Sequence, residues 1–384
     1  MDKASIRTPV GWLTSRRARV AIVAIALSLG TAACRQAAAP APPTAAPAKE
    51  APTAAAVAKP AATQAPAVAP TAKPEAKAPA KVTLKSAFTS TAATLAPVSA
   101  AKEGGFFDEE GLDVSLTRIQ AGAPVLAALR GGDVPIAMVG AQQIVEADLQ
   151  GGDFVIVAGF SDRFTQSIYV DKSIERPEQL RGKALGVTNF GAATHVAGRV
   201  GVEKLGLKDQ VTFVATGGPP ETTAAMQAGK VQGGIFSPPD SFVVRDLGFR
   251  ELIDIKALDA HLLGAAIATT SKWARDNPDL VERYIRATIK GTYRLMTDAQ
   301  FGMQVVRKHS GIDDPKVLEE TYNYYRDVYV KDGYPALDAL QFSIDLAAEE
   351  IPDARNAKPE QFVDLTFIDK IKASGLVEKL WGKN

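Results

Sequence analysis

The chain has 384 residues, 44 of them Lys or Arg against 43 Asp or Glu, for a formal net charge of +1, so nothing in its charge points to nucleic acid or to an acidic surface. Its single cysteine, Cys34, precedes the folded part, which excludes disulfides and thiolate metal sites there. Three histidines, at positions 195, 261 and 309, have no metal-ligand spacing, and no metal is expected.

Lys3, Arg7, Arg16, Arg17 and Arg19 precede an apolar stretch over 20–29, which runs into Gly30-Thr31-Ala32-Ala33-Cys34. Positive, apolar and small-residue regions in this order read as an export signal over 1–33, and roughly ten apolar residues are too few to cross a bilayer as a helix. Cys34 directly after the small residues resembles the cysteine of bacterial lipoprotein signals, which becomes the lipidated first residue; Thr31 stands where that pattern usually has Leu, Val or Ile. Ser15-Arg16-Arg17 leaves a twin-arginine route open. From 34 to 81 the chain is nearly all Ala, Pro, Thr and Lys, without an aromatic residue. Such a composition cannot bury enough apolar surface to offset ordering entropy, so a disordered, proline-stiffened linker is expected there.

The remainder, 82–384, is long enough for two α/β lobes. Val82 to Phe88 alternates like a strand, and Thr89-Ser90-Thr91 leads into a helix through Leu95, Val98 and Ala101 that stops at Gly104-Gly105. A second strand is expected at Leu112-Asp113-Val114, a helix from Pro124 to Arg130, a strand at 136–139 ending in Gly140-Ala141-Gln142, a helix to Leu149, and a strand at 154–159. The same grammar recurs after Arg181. Ala184-Leu185-Gly186-Val187 reads as a buried strand, 188–195 as a small-residue turn, and Val196, Val200, Val202 and Leu205 as a helix face. Val211 to Ala215, Pro220 to Ala228 and Gly233 to Phe236 repeat strand, helix and strand, ending at Ser237-Pro238-Pro239-Asp240. Two successive strand-to-helix junctions with small polar residues at the strand ends point to a ligand crevice, where unpaired helix-start N–H groups favour an oxyanion. The G-x-G-x-x-G spacing is absent, so no nucleotide cofactor is expected. Beyond Asn277-Pro278-Asp279 the tail reads as helical throughout, and Trp273, Tyr293, the aromatics over 322–329 and Trp381 read as packing residues.

Gly104-Gly105-Phe106-Phe107 with Gly111-Leu112-Asp113-Val114, then Ala128 to Asp133, Leu180-Arg181-Gly182-Lys183, Gly191 to His195, Ala225 to Val231 and Pro239 resemble the periplasmic solute-binding proteins of nitrate, sulfonate and taurine importers. That superfamily includes binders of the thiamine pyrimidine precursor. The resemblance implies an α/β, two-lobed periplasmic-binding-protein type II fold with two crossover strands and a ligand cleft between lobes. Projected onto this chain, lobe one is 82–166 and 262–384, lobe two is 167–261, and Ser167 to Val170 and His261 to Ile267 are the crossovers.

By fold logic the ligand residues sit at strand ends facing the cleft: Thr89, Ser90 and Thr91; Gly140, Ala141 and Gln142; Arg163, Thr165 and Gln166. From the second lobe come Asn189, Gly191, Ala192, Thr194 and His195, then Phe236, Ser237, Pro239 and Asp240. Hydroxyls and backbone N–H groups suit a sulfonate, carboxylate or nitrate, whereas Asp240 would repel an anion unless it pairs with Arg163. Phe88, Phe164, Phe190 and Phe236 would either stack on a flat heterocycle or fill the cores. The resulting expectation is a monomeric, lipid-anchored, extracytoplasmic binding protein, not an enzyme, delivering a small molecule to an ABC permease. Its alternatives are a pyrimidine binder and a ligand-sensing partner of a membrane receptor. The arrangement requires Ser90, Gln142, Asn189 and Ser237 around one cavity.

Overall fold

Ten strands form two separate five-stranded sheets in the computed structural model, which describes residues 81–119, 122–190, 192–258 and 260–382. The export signal, Cys34, the linker and Gly191 lie outside the described residues. The first sheet contains β1 (Val82–Phe88), β2 (Leu112–Arg118), β3 (Ile136–Val139), β4 (Phe154–Arg163) and β10 (His261–Thr270) in the order β2-β1-β3-β10-β4. The second contains β5 (Ser167–Val170), β6 (Ala184–Val187), β7 (Thr212–Ala215), β8 (Gly233–Phe236) and β9 (Arg250–Asp254) in the order β7-β6-β8-β5-β9.

The two sheets share one plan. A parallel trio, β2-β1-β3 or β7-β6-β8, is flanked by an antiparallel strand that has arrived from the other sheet: β10 beside β3, β5 beside β8. The chain crosses between sheets at Phe164-Thr165-Gln166 and again near 255–260, so Ser167–Val170 and His261–Thr270 are each a full strand of the sheet they enter. This is the mixed α/β, two-lobed architecture that the resemblance implied.

Parallel strands must be covered on both faces, and the sequence supplies two apolar sets from one strand by alternation. In the first sheet Leu84, Val114, Met138, Val157 and Ile267 face one core, which takes Val281, Tyr284, Ile285 and Ile289 from the helix Pro278–Thr297. Ala87, Ala137, Val139, Ile156 and Ala266 face the other, closed by Ile144 and by Leu340 and Ile344. The long helix approaches Ala96–Glu103 so closely that a Cβ on Gly291 would lie 2.5 Å from the backbone nitrogen of Ala101, a contact only glycine allows. In the second sheet Ile168, Val170, Leu185, Val187 and Ile235 pack on Val196 and Val200, while Tyr169 and Phe236 fill the opposite face with Met226 and Val244.

Two elements after β8 have no counterpart in the sequence reading: a helix Asp240–Asp246 and the edge strand β9. The tail is not helical throughout. Residues 328–336 are largely irregular, and Tyr329 and Val363 form isolated bridges to Ser161 and Ile156 of β4. Its aromatics do pack: Tyr322, Tyr325 and Tyr329 are buried, and Trp381 meets the Tyr293 ring edge-on at 4.8 Å. The lobes also meet beyond the crossovers, through Arg245 and Glu320 at 2.9 Å and through the Tyr325 hydroxyl, which donates to the Pro238 carbonyl at 3.1 Å.

Candidate functional site

The C-terminal ends of β1, β3, β4 and β8 converge on a cavity of about 270 Å³. Thr89, Ser90 and Thr94 enter it after β1, Gly140, Ala141 and Gln142 after β3, and Arg163, Thr165 and Gln166 at the first crossover. Ser237, Ala193 and Val196 come from the second lobe, and Leu262, Leu263 and Gly264 of β10 complete the wall. A larger hollow of about 720 Å³ lies beside the C-terminal helix, where Arg163 is its only lining residue among those expected at the ligand site.

Nine of the eighteen residues expected from sequence therefore line one cavity: three after β1 and β8 (Thr89, Ser90, Ser237), three after β3 and three at the crossover. Of the four required to share it, Ser90, Gln142 and Ser237 do, while Asn189 is exposed and does not line it. Thr91 is exposed and its carbonyl accepts from Ser310. Thr194 turns back on its own strand: its hydroxyl oxygen accepts from the Thr188 backbone N–H at 3.0 Å and bonds the Thr188 hydroxyl at 2.9 Å. Ala192 sits one residue before the cavity-lining Ala193. His195 packs edge-on against Phe190 at 5.2 Å and Phe213 at 5.3 Å, and burial lowers its pKa.

Phe236 is buried in the second lobe, edge-on to Tyr169 at 6.3 Å, and Pro239 precedes the helix Asp240–Asp246. Asp240 is half-buried with its carboxyl pKa raised by desolvation, and the ion partner of Arg163 is Asp162 at 3.7 Å. The other phenylalanines disperse as well: Phe164 meets Phe342, Phe88 meets His309, and Phe190 is 64% exposed. No aromatic ring lines the cavity among the described residues.

Three short segments open on the cavity with Ala or Gly as the residue before the first turn: Ala92, Gly140 and Ala192, all extended and all without a side-chain cap. Ser, Thr, Asp or Asn in that place is worth about 1 kcal/mol, because its oxygen takes a helix-start N–H. Thr270, Asp298 and Asp314 do this for three helices elsewhere, while others away from the cavity, such as Pro219–Gln227 and Leu337–Ala347, also start without a side-chain cap. At the cavity those donors are left for another acceptor, and the helix dipole favours a negative one.

Beneath the cavity lies Tyr325, fully buried on the helix Pro315–Arg326. Its hydroxyl donates to the Pro238 carbonyl at 3.1 Å and sits near the hydroxyls of Ser237, Thr165 and Thr94, where both lobes and the crossover meet. Burial raises its pKa, and the hydroxyl donors oppose that shift. Sequence reasoning placed Tyr325 among packing residues and missed its polar end, because nothing local links position 325 to 94, 165 and 237. Glu146 could have been found, since it stands one helical turn after Gln142 on the same face. Leu262 to Gly264 lie within the crossover that sequence identified, yet carry no polar signal.

His309 holds the turn after β1. Its Nε2 lies 3.2 Å from the Ala92 carbonyl, which can only accept, so Nε2 carries the proton and Nδ1 accepts from the Ser99 hydroxyl at 2.8 Å. Burial pushes its pKa from 6.5 down to about 4. The folded state thus keeps His309 neutral while an unfolded chain protonates it, so its stabilising contribution is complete above pH 6.5 and is lost as pH falls toward 4. At about 1.4 kcal/mol per pH unit the loss approaches 3 kcal/mol. Chemical denaturation at pH 7 and pH 4 should show this loss, and His309→Gln should flatten it; an unchanged slope in the variant would refute the assignment.

The sheets, the crossovers and a cavity at the strand ends define the two-lobed fold of the periplasmic binding proteins. Residues 92–300 match the family model described as NMT1/THI5 like, and the chain belongs to that family. The taurine-binding periplasmic protein of Escherichia coli (strain K12) is 28% identical over 158 residues, 41% of this chain and 49% of that protein, so the chain spans about half the length of this curated relative. A putative sulfonate ABC transporter periplasmic sulfonate-binding protein, SsuA from Methylobacillus flagellatus KT, superposes with a TM-score of 0.64 at 18% identity, covering 79% of this chain and 98% of its own. The periplasmic aliphatic sulphonate binding protein SsuA from Escherichia coli gives 0.60 at 18% identity, covering 73% and 97%. At these identities the superpositions establish the fold.

Proposed function

We propose that the protein is the extracytoplasmic solute-binding component of an ABC importer, capturing a small organic or inorganic anion of the sulfonate, nitrate or carboxylate type. The observation that carries this reading is the cavity itself, in which Thr89, Ser90, Thr165 and Ser237 and three uncapped helical starts meet from both sides of the crossovers. A ligand held there touches lobe one (82–166 and 262–384) and lobe two (167–261) together, and so stabilises the closed arrangement over an open one. The anion is favoured over a pyrimidine because no aromatic ring lines the cavity among the described residues. The names of the relatives support binding rather than catalysis.

In this reading the export signal delivers the chain across the membrane, Cys34 takes a lipid anchor, and 35–81 is the tether from which a monomeric domain reaches the permease. Thermal denaturation against a panel of sulfonates, carboxylates, nitrate and an aminopyrimidine tests it. A ligand at 100 times its Kd adds about 2.7 kcal/mol and raises Tm by several degrees. A panel in which no anion raises Tm overturns the proposal.

A further inference from the structure

Three donors from the C-terminal part of the chain reach three successive carbonyls of the turn after β1. The Ser310 hydroxyl donates to the Thr91 carbonyl at 2.7 Å, His309 Nε2 to that of Ala92 at 3.2 Å, and the Tyr329 hydroxyl to that of Ala93 at 2.6 Å. Two of these carbonyls already have a partner, since Ala92 accepts from the Leu95 N–H and Ala93 from the Ala96 N–H as the helical turn closes. Satisfying an orphan acceptor therefore does not account for the added donors. Nor do the donors meet a ligand themselves: His309 and Tyr329 are buried, and none of the three lines the cavity.

What they fix is the direction of the peptide planes. In a trans peptide the N–H points opposite to the C=O, and the only cis bond among the described residues is Pro238-Pro239. With the carbonyls of Thr91, Ala92 and Ala93 turned toward the tail, the N–H groups of Ala92, Ala93 and Thr94 turn away from it, to the side on which Ala92 and Thr94 line the cavity. The Ala92 N–H donates to the Ser90 hydroxyl oxygen at 3.0 Å, which leaves the Ser90 hydrogen to donate into the cavity. Those of Ala93 and Thr94 open the first helical turn and have no carbonyl behind them. Each donor on a carbonyl also polarises its peptide and strengthens the N–H across it. We infer that Ser310, His309 and Tyr329 are positioning residues of the ligand site: His309 and Tyr329 aim the Ala93 and Thr94 N–H groups at an anion, and Ser310, through Ala92, orients the Ser90 hydroxyl. The inference rests on the anion-binding reading above and deepens it.

Titration calorimetry on the full chain tests it with one probe from each anion class: ethanesulfonate, propanoate and nitrate. For the probe that binds, Ser310→Ala and Tyr329→Phe should each raise Kd about fivefold, whereas Ser310→Thr, which keeps the hydroxyl, should stay within about twofold. In a Ser90→Ala background Ser310→Ala should have almost no further effect, because the hydroxyl it orients is gone. A purely structural role would lower the melting temperature and leave the Kd of the folded protein unchanged. An unchanged Kd in either variant, a loss that Ser310→Thr shares, or an undiminished effect of Ser310→Ala without the Ser90 hydroxyl would each overturn the inference while leaving anion binding in place. No binding of any probe to the unsubstituted protein would overturn the anion-binding reading, and this inference with it.

Discussion

Replacing Gly264 by leucine is expected to abolish ligand binding without unfolding the protein. A Cβ at this position would lie 3.6 Å from the Ser161 hydroxyl oxygen and 3.6 Å from Thr94 Cγ2, ordinary contact distances, and the glycine does not have a positive φ. Alanine therefore fits, and the strand interior gains from losing a glycine. Leucine adds three further carbons, and the space next to Thr94 is the 270 Å³ cavity that both residues line. The Kd of Gly264→Leu should rise by about 100-fold or more, roughly 3 kcal/mol, while Gly264→Ala stays within about tenfold. Calorimetric titration gives the affinities and circular dichroism melting the fold. Full affinity in a folded Gly264→Leu protein would remove this cavity from consideration.

Tyr325 is the second test, because it joins packing to polarity. Truncation to alanine removes a fully buried ring and should cost about 3–5 kcal/mol. Tyr325→Phe keeps the ring beside Tyr324 and deletes one oxygen, leaving the Pro238 carbonyl and nearby hydroxyls short of a partner. A buried group left unmet costs about 1–3 kcal/mol, so denaturant midpoints should fall less than in the alanine variant. Affinity should also drop about tenfold, since the Pro238 carbonyl next to the cavity-lining Ser237 loses its donor. A Tyr325→Phe protein with lowered stability and unchanged affinity would reduce the residue to a structural one.

What the sequence made legible was whatever is local. β3, β6 and β8 are short and apolar, β1 alternates, all four are followed by small residues, and glycines such as Gly105, Gly132 and Gly229 adopt the positive φ that ends a helix. Those junctions led directly to Thr89, Ser90, Gln142 and Ser237 at the cavity. Side-chain direction was not legible. Thr194 and His195 stand at a helix start in the expected place, yet one bonds Thr188 and the other packs between Phe190 and Phe213. Alternation shows that a strand residue is buried without saying in which of two cores, which is why Phe236 read equally well as a ligand contact and as the core residue it is. Tyr325, Glu146 and Gly264 contribute through the fold alone, with partners that no spacing rule connects.

The position of β10 between β3 and β4 also sets a timetable. Every backbone partner of β4 outside itself comes later in the chain: β10 at 261–270, Val330 and Gly333, and Val363 with Asp364. At synthesis rates of about 5–20 residues per second, β4 emerges roughly 5–20 s before the first of them exists. Its ten residues, eight of them buried in the finished sheet, must wait exposed until the ribosome has passed Thr270. A protein wired in this way does not complete its first sheet before its last third is made, whereas the second sheet has all its strands by Asp254 and can close first.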